Sequence, residues 1–246
     1  MRGELLVIPL RGIPELEEGD DLGALLVRAA GVGGFEETDV VVVAQKAVSK
    51  VEGRIVHLAS VEASERAQEL AGDADPRRIE VILNEAREIV RSRPPLVIAE
   101  TRHGFVCASA GVDSSNAKGP DTLVLLPVDP DASAARIRSR IRELTEKDVG
   151  VIVSDSFGRA WRRGTTDVAL GVAGITALLD LDGLRDSVGY ELQSTQIAVA
   201  DEIAGAAQLV MGKLDAIPAA LVRGLHLEGD GRARDLVMPR ERDLFR

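Results

Sequence analysis

Several protein classes need residues that this chain has little of. A single cysteine, Cys107, among 246 residues excludes an internal disulfide and any zinc site built on cysteine pairs. Four Phe, one Trp and one Tyr are the only aromatics, too few for a platform on which successive bases stack. Basic residues are outnumbered, 30 Lys and Arg against 40 Asp and Glu, for a net charge of −10. Such a surface repels duplex phosphate, so no nucleic-acid partner is expected. No stretch approaches the roughly 20 apolar residues needed to span a bilayer; the run Val40–Ala44 is only strand-length. Met1-Arg2-Gly3-Glu4 leads into a short apolar run broken at Pro9, without the long apolar core of a secretory signal. The expectation is a soluble cytoplasmic protein with no membrane partner. The familiar nucleotide signatures are missing as well. Gly212-Lys213 is followed by Leu214, with no glycine five residues before Gly212, and no G-x-G-x-x-G occurs.

What is present is globular in composition, 45% hydrophobic and 28% charged. The length allows one large domain or two small ones, with core enough to fold without staples. Strands are expected at residues 4–10, 40–44, 55–56, 96–99, 105–108, 123–126, 149–153 and 218–223. Helices are expected at 22–30, behind the cap Asp20-Asp21, and at 60–70, 76–90, 131–143 and 196–210. Residues 167–179 read as a strand followed by a turn, and 229–246 as a charged surface segment. Several strands lie too close in sequence for crossover helices, so part of the sheet must be antiparallel. The class is therefore α+β, a mixed and partly antiparallel sheet with flanking helices. No repeat or low-complexity linker divides the chain, and domain division stays open.

Three clusters could carry chemistry. Asp113 closes the segment Cys107-Ala108-Ser109-Ala110-Gly111-Val112, and Asp155 follows the apolar strand at 149–153. With Asn116 and Ser156 beside them, these carboxylates offer an all-oxygen set suited to Mg²⁺ or Mn²⁺. Asp and Ser after a strand also form plain Asx turns or helix caps. Arg159, Arg162 and Arg163 surround Trp161; they could clamp carboxylate or phosphate bidentately, or line a solvated turn. Trp161 could be core or a stacking face, and core is the default reading. Gln45-Lys46 and Ser49-Lys50 follow the strand at 40–44 and could bind phosphate, although exposed lysine is the commoner outcome. His57, His103 and His226 are scattered and read as structural, Cys107 reads as a buried thiol, and Glu191 could lie near the same cleft.

Longer strings carry a resemblance. They include Pro9-Leu10-Arg11-Gly12-Ile13-Pro14, Val43-Ala44-Gln45-Lys46-Ala47-Val48-Ser49-Lys50 and Gly111-Val112-Asp113-Ser114-Ser115-Asn116. Ser154-Asp155-Ser156-Phe157-Gly158-Arg159-Ala160-Trp161-Arg162-Arg163-Gly164-Thr165-Thr166-Asp167 and Val210-Met211-Gly212-Lys213 continue them. Taken in order, they resemble the coenzyme F420-0:L-glutamate ligase family over nearly the whole chain, residues 1–246 as one ligase domain. The resemblance implies a fold peculiar to the family, an intertwined homodimer with its site at the subunit interface. It implies addition of L-glutamate to the deazaflavin coenzyme F420-0, and then of successive γ-linked glutamates. The co-substrate is GTP, the cofactor Mg²⁺ or Mn²⁺, and the route an acyl phosphate. By matching positions, Asp113 and Asp155 are implied as metal ligands and Ser156 as a hydroxyl ligand, where family members often carry Thr. Ile13, Pro14, Glu15, Leu16, Gln45, Lys50, Asn116, Met211, Gly212 and Lys213 are implied to contact the nucleotide. Asp113, Asp155, Arg159 and Arg162 are implied to be catalytic. At the position of Lys213 archaeal members usually carry a Gln that touches a second metal; lysine is a poor metal ligand, and its charge suits phosphate. Some relatives fuse a flavin-binding reductase domain, and the resemblance here supports the ligase half alone. The competing readings are a ligase acting on another carboxylate and a non-catalytic nucleotide-binding regulator.

Overall fold

The computed structural model describes residues 4–245; Met1-Arg2-Gly3 of the amino-terminal reading and Arg246 of the last segment lie outside the described residues. The chain opens with β1 (Leu6–Pro9), α1 (Leu22–Ala30), β2 (Val40–Ala44), α2 (Gln45–Val51) and β3 (Ile55–His57). Next come α3 (Glu65–Ala71), α4 (Pro76–Glu85), β4 (Ala86–Arg93), β5 (Leu96–Thr101), β6 (Val106–Ala108) and β7 (Thr122–Val124). The second half holds α5 (Pro130–Thr145), β8 (Gly150–Arg159), β9 (Arg162–Ala173), β10 (Leu179–Asp180), β11 (Gln196–Ile197), α6 (Val199–Met211) and β12 (Ala219–Arg223). The α+β class and the mixed sheet are as the sequence implies.

The central sheet runs β1-β12-β2-β8-β9. Only its β2–β8 pair is parallel; the other three are antiparallel. The valine run of β2 has no polar alternation because helices cover both faces. Val41 and Val43 join Val151 and Val153 beneath Leu26 of α1 and Ile141 of α5. Val40 and Val42 join Ile152 against Ala200, Ile203 and Ala207 of α6. Each such valine, removed from water, contributes about 1.5–3 kcal/mol. Asp39, just before β2 and fully buried, accepts hydrogen bonds from Nε and Nη2 of Arg223 at the end of β12, 2.9 and 2.8 Å away. That fork ties together the ends of the neighbouring strands β12 and β2. Gly171 of β9 lies so close to α5 that an added Cβ would sit 2.1 Å from the Pro130 carbonyl oxygen. A smaller sheet, β4-β5-β6, packs with α3 and α4 around a third apolar cluster.

The structure corrects several boundaries. The helix expected over 76–90 ends at Glu85, and Ala86–Arg93 is β4, paired with β5. Ile89 and Val90 are β-branched and pack better on a pleat than on a helix. The helix expected at 60–70 starts later, at α3, where the Ser64 hydroxyl accepts from the Ala67 N–H. Gln196 and Ile197 leave the helix expected from 196 and pair with β10. Asp155 does not follow a strand that stops at 153: β8 runs on to Arg159 because β9 pairs with it throughout, past a register shift at Val153/Ser154. Trp161 is no core residue. It sits 83% exposed at the turn of the β8–β9 hairpin. Among the described residues, no helix is long and apolar enough to cross a membrane.

Candidate active site

The parallel strands β2 and β8 end side by side, Ala44 opposite Ser154. Crevices at the carboxyl ends of adjacent parallel strands are where open sheets present ligands. Here a cavity of about 370 Å³ opens. One wall is the 13–16 loop with Ile13, Pro14, Glu15 and Leu16. Gln45, Lys46 and Lys50 of α2 form the floor, with Asn116 beside them. Ser154, Asp155 and Ser156 of β8 and Asp167 of β9 form the opposite side. Gln208 and Met211 of α6, then Gly212 and Lys213, close the end.

The donors and acceptors of this cavity are unevenly matched. Gln45 is almost fully buried. Its Oε1 accepts from the Ser49 hydroxyl at 2.9 Å, but its Nε2 finds no acceptor among the described residues. A buried amide donor without a partner is costly and fits a position that a ligand acceptor completes. Lys50, also buried, pairs with Glu15 Oε1 at 2.5 Å. Lys46 lies 2.6 Å from Asp113 Oδ2 and 2.6 Å from the Ser115 hydroxyl. Neither lysine is the loose surface side chain that was the commoner expectation.

The two aspartates differ in state. Burial pushes Asp113 upward, but hydrogen bonds from Lys46 and the Ser115 N–H outweigh it and hold the carboxyl below its ordinary range. Burial pushes Asp155 up to about 7; the Ser156 N–H and the Lys46 charge pull it back, while Asp167 and Asp113 add repulsion. Asp155 is thus a carboxylate short of positive charge in a cavity wall, the condition that a cation would relieve. Among the described residues, no three His, Cys, Asp or Glu side chains form a group able to hold a metal alone. Asp155 and Ser156 line the cavity and would leave positions for water or phosphate oxygens, the manner in which Mg²⁺ and Mn²⁺ are commonly held. These two oxygen donors fit such an ion, whereas Asp113 is tied to Lys46.

This state predicts a pH dependence. Metal-free folded protein keeps the Asp155 proton up to about pH 7, whereas the unfolded chain releases it near 3.8. The folded state binds more protons in that window, so stability falls as pH rises from about 4 to about 7 and then levels. Urea unfolding across this range should show the fall in wild type and a smaller one in Asp155→Asn. Identical profiles would contradict the assignment of this charge.

Most of the sequence-implied contact residues are brought together; Asp113, Arg159, Arg162 and Glu191 are the exceptions. Asp113 reaches the cavity only through Lys46. Arg159 and Arg162 are exposed at the hairpin tip, where Arg159 Nη2 donates to the Arg163 carbonyl at 3.3 Å, and neither lines the cavity. Glu191 faces Arg185 at 3.7 Å, away from the cleft. Sequence reasoning missed a network behind Ser156. Asp167 accepts from the Ser154 hydroxyl at 3.0 Å and the Ser156 hydroxyl at 2.6 Å, and Gln208 Nε2 donates to Ser156 at 3.2 Å. The β8–β9 register, Ser156 opposite Asp167, is what joins residues that lie apart in sequence.

A family described as F420-0:gamma-glutamyl ligase matches residues 12–224. The chain belongs to this family. Every residue named above as lining the cavity falls inside the F420-0:gamma-glutamyl ligase match. The coenzyme F420:L-glutamate ligase of Methanothermobacter thermautotrophicus is 43% identical over 249 residues, covering 98% of both chains. The enzyme of the same name from Methanopyrus kandleri is 44% identical across 99% of this chain and 100% of its own. That of Methanocaldococcus jannaschii is 46% identical over 86% of each.

Proposed function

We propose that the chain is a coenzyme F420-0:L-glutamate ligase, driven by GTP and a divalent cation. The carrying observation is the single cavity that gathers the unpaired Gln45 Nε2, the Lys46 and Lys50 ammonium groups and the under-compensated Asp155. The names of relatives alike over nearly their full length support the substrate assignment.

The terminal carboxylate of the precursor attacks the γ-phosphorus of GTP. A P–O bond breaks to GDP and an acyl phosphate forms. The amine of glutamate then attacks the acyl carbon, loses a proton, and expels phosphate as the amide forms. Lys46 and Lys50 offset phosphate charge, and Gln45 Nε2 donates to a nucleotide acceptor. Ser156, held by Asp167 and Gln208, keeps its hydroxyl oxygen toward the triphosphate. A Mg²⁺ or Mn²⁺ ion held by Asp113, Asp155 and Ser156 would neutralise charge on the transferring phosphoryl group. Arg159 and Arg162 do not line their own chain's cavity, so their assigned role on substrate carboxylates requires a second copy, as in a homodimer. Later turns of the same chemistry would extend the product by γ-linked glutamates, in the cytoplasm.

Incubation with F420-0, glutamate, GTP and Mn²⁺ should yield GDP and a product heavier by one glutamate residue. No mass gain would eliminate the ligase reading. Lys213→Gln should weaken GTP binding about tenfold, as loss of one phosphate contact does, and leave metal affinity unchanged. Higher metal affinity with unaltered GTP binding would remove the phosphate role.

A further inference from the structure

A second cavity, of about 420 Å³, adjoins the first. Its size falls in the range of about 300–1,000 Å³ typical of small-molecule sites. Three of the chain's four Phe line it: Phe105, Phe157 and Phe245. The only Trp, Trp161, lies against Phe245 with ring centroids 4.7 Å apart. Phe105 and Phe157 meet edge to face at 6.4 Å. A protein that is 2% aromatic has concentrated its aromatic residues around one hollow. The wall is not sealed from outside, since Leu244 and Phe245 are largely exposed. Its charged lining is Asp201 of α6 together with Arg242 and Asp243 beside Leu244; Asp201 Oδ1 accepts from the Ala169 N–H at 2.8 Å. Burial raises its pKa against that hydrogen bond.

The two cavities share a boundary. Asp155 and Val168 are cross-strand partners; Asp155 lines the first cavity and Val168 the second. Phe157 follows Asp155 by two residues on β8, so it projects to the same side about 7 Å further along. A ligand with a flat, largely apolar ring and an acidic tail would fill both. Its ring would meet phenylalanine faces and edges, which attract aromatic partners in offset or edge-to-face geometry. An N–H on the ring edge would find Asp201.

We propose that this second cavity binds the deazaflavin ring of the acid substrate, with the tail passing the Asp155–Val168 pair into the nucleotide cavity. The proposal rests on the ligase reading above, and its test separates the two. F420-0 binding is titrated by its own fluorescence, and GTP binding is titrated in parallel. Phe157→Ala, Phe245→Ala and Leu244→Trp, the last of which narrows the hollow, should each weaken F420-0 binding about tenfold or more. GTP affinity should stay within about twofold. The exposed Phe245 and Leu244 positions decide the matter if Phe157→Ala fails to fold. Wild-type protein that binds no F420-0 overturns both the ring site and the ligase reading. Wild-type binding that all three variants retain overturns the ring site alone. If Phe245→Ala and Leu244→Trp change the assembly mass but not F420-0 affinity, the aromatic wall is an interface between copies and the proposal is wrong.

Discussion

Replacing Asp155 with Asn is expected to lower kcat for glutamate addition about 1,000-fold or more, equivalent to about 4 kcal/mol of lost transition-state stabilisation. The substitution keeps the shape and removes the charge on which a cation in the first cavity depends. The same change should not weaken the metal-free fold. Burial and the neighbouring Asp113 and Asp167 make the ionised Asp155 unfavourable, so the neutral amide relieves a penalty, and urea stability at pH 8 should hold or rise. Groups tuned for chemistry commonly show this exchange of stability for activity. Activity assayed at saturating Mn²⁺ alongside an unfolding curve checks both halves. Retained turnover would remove Asp155 from the machinery, and lost turnover with lost stability would make its role structural.

The largest expected effect on stability lies elsewhere. Asp39→Ala should cost about 3–5 kcal/mol, because it leaves the Arg223 guanidinium partly buried without its fork partner. For a chain of this size that is a drop in Tm of roughly 6–20 °C. The second acid on the same arginine supplies the control. Glu36 meets Arg223 Nη1 at 2.7 Å but is well exposed, so Glu36→Ala should cost less than about 1 kcal/mol. Thermal denaturation of the two variants side by side measures the contrast, and equal losses would contradict the role given to burial.

The elements legible in the sequence are those whose pattern has one physical solution. An unbroken, strand-length run of β-branched valines reads as a strand covered on both faces, and β2 is one. Asp21 announces α1 because it accepts from an N–H of the first turn; the helix read from Asp131 starts at Pro130 instead, behind Asp129, whose side chain accepts from the Ala132 N–H. Charged stretches with scattered apolar residues fit two periods, and residues 86–90 went to a strand because β5 was there to pair with them. The cavity contacts were readable through long contiguous strings rather than through spacing. The network of Asp167, Ser154, Ser156 and Gln208 was not readable, since it depends on strand register and on the placement of α6. The aromatic hollow was hidden for the same reason. Phe105, Phe157 and Phe245 are remote in sequence and meet only through the fold, and the segment that supplies Phe245 reads as plain charged surface.

In the proposed ligase, a cation bearing the triphosphate is held by Asp155 at the first cavity and by Asp113 once Lys46 releases it. A crystal grown with a non-hydrolysable GTP analogue and Mn²⁺, with anomalous scattering recorded at the manganese edge, tests it most directly. An anomalous peak is expected within coordination distance of both carboxylates and of the terminal phosphate, with the Lys46–Asp113 ion pair opened or shared. Nucleotide bound in that cavity with Lys46 still on Asp113, and no manganese between the two aspartates, would contradict it.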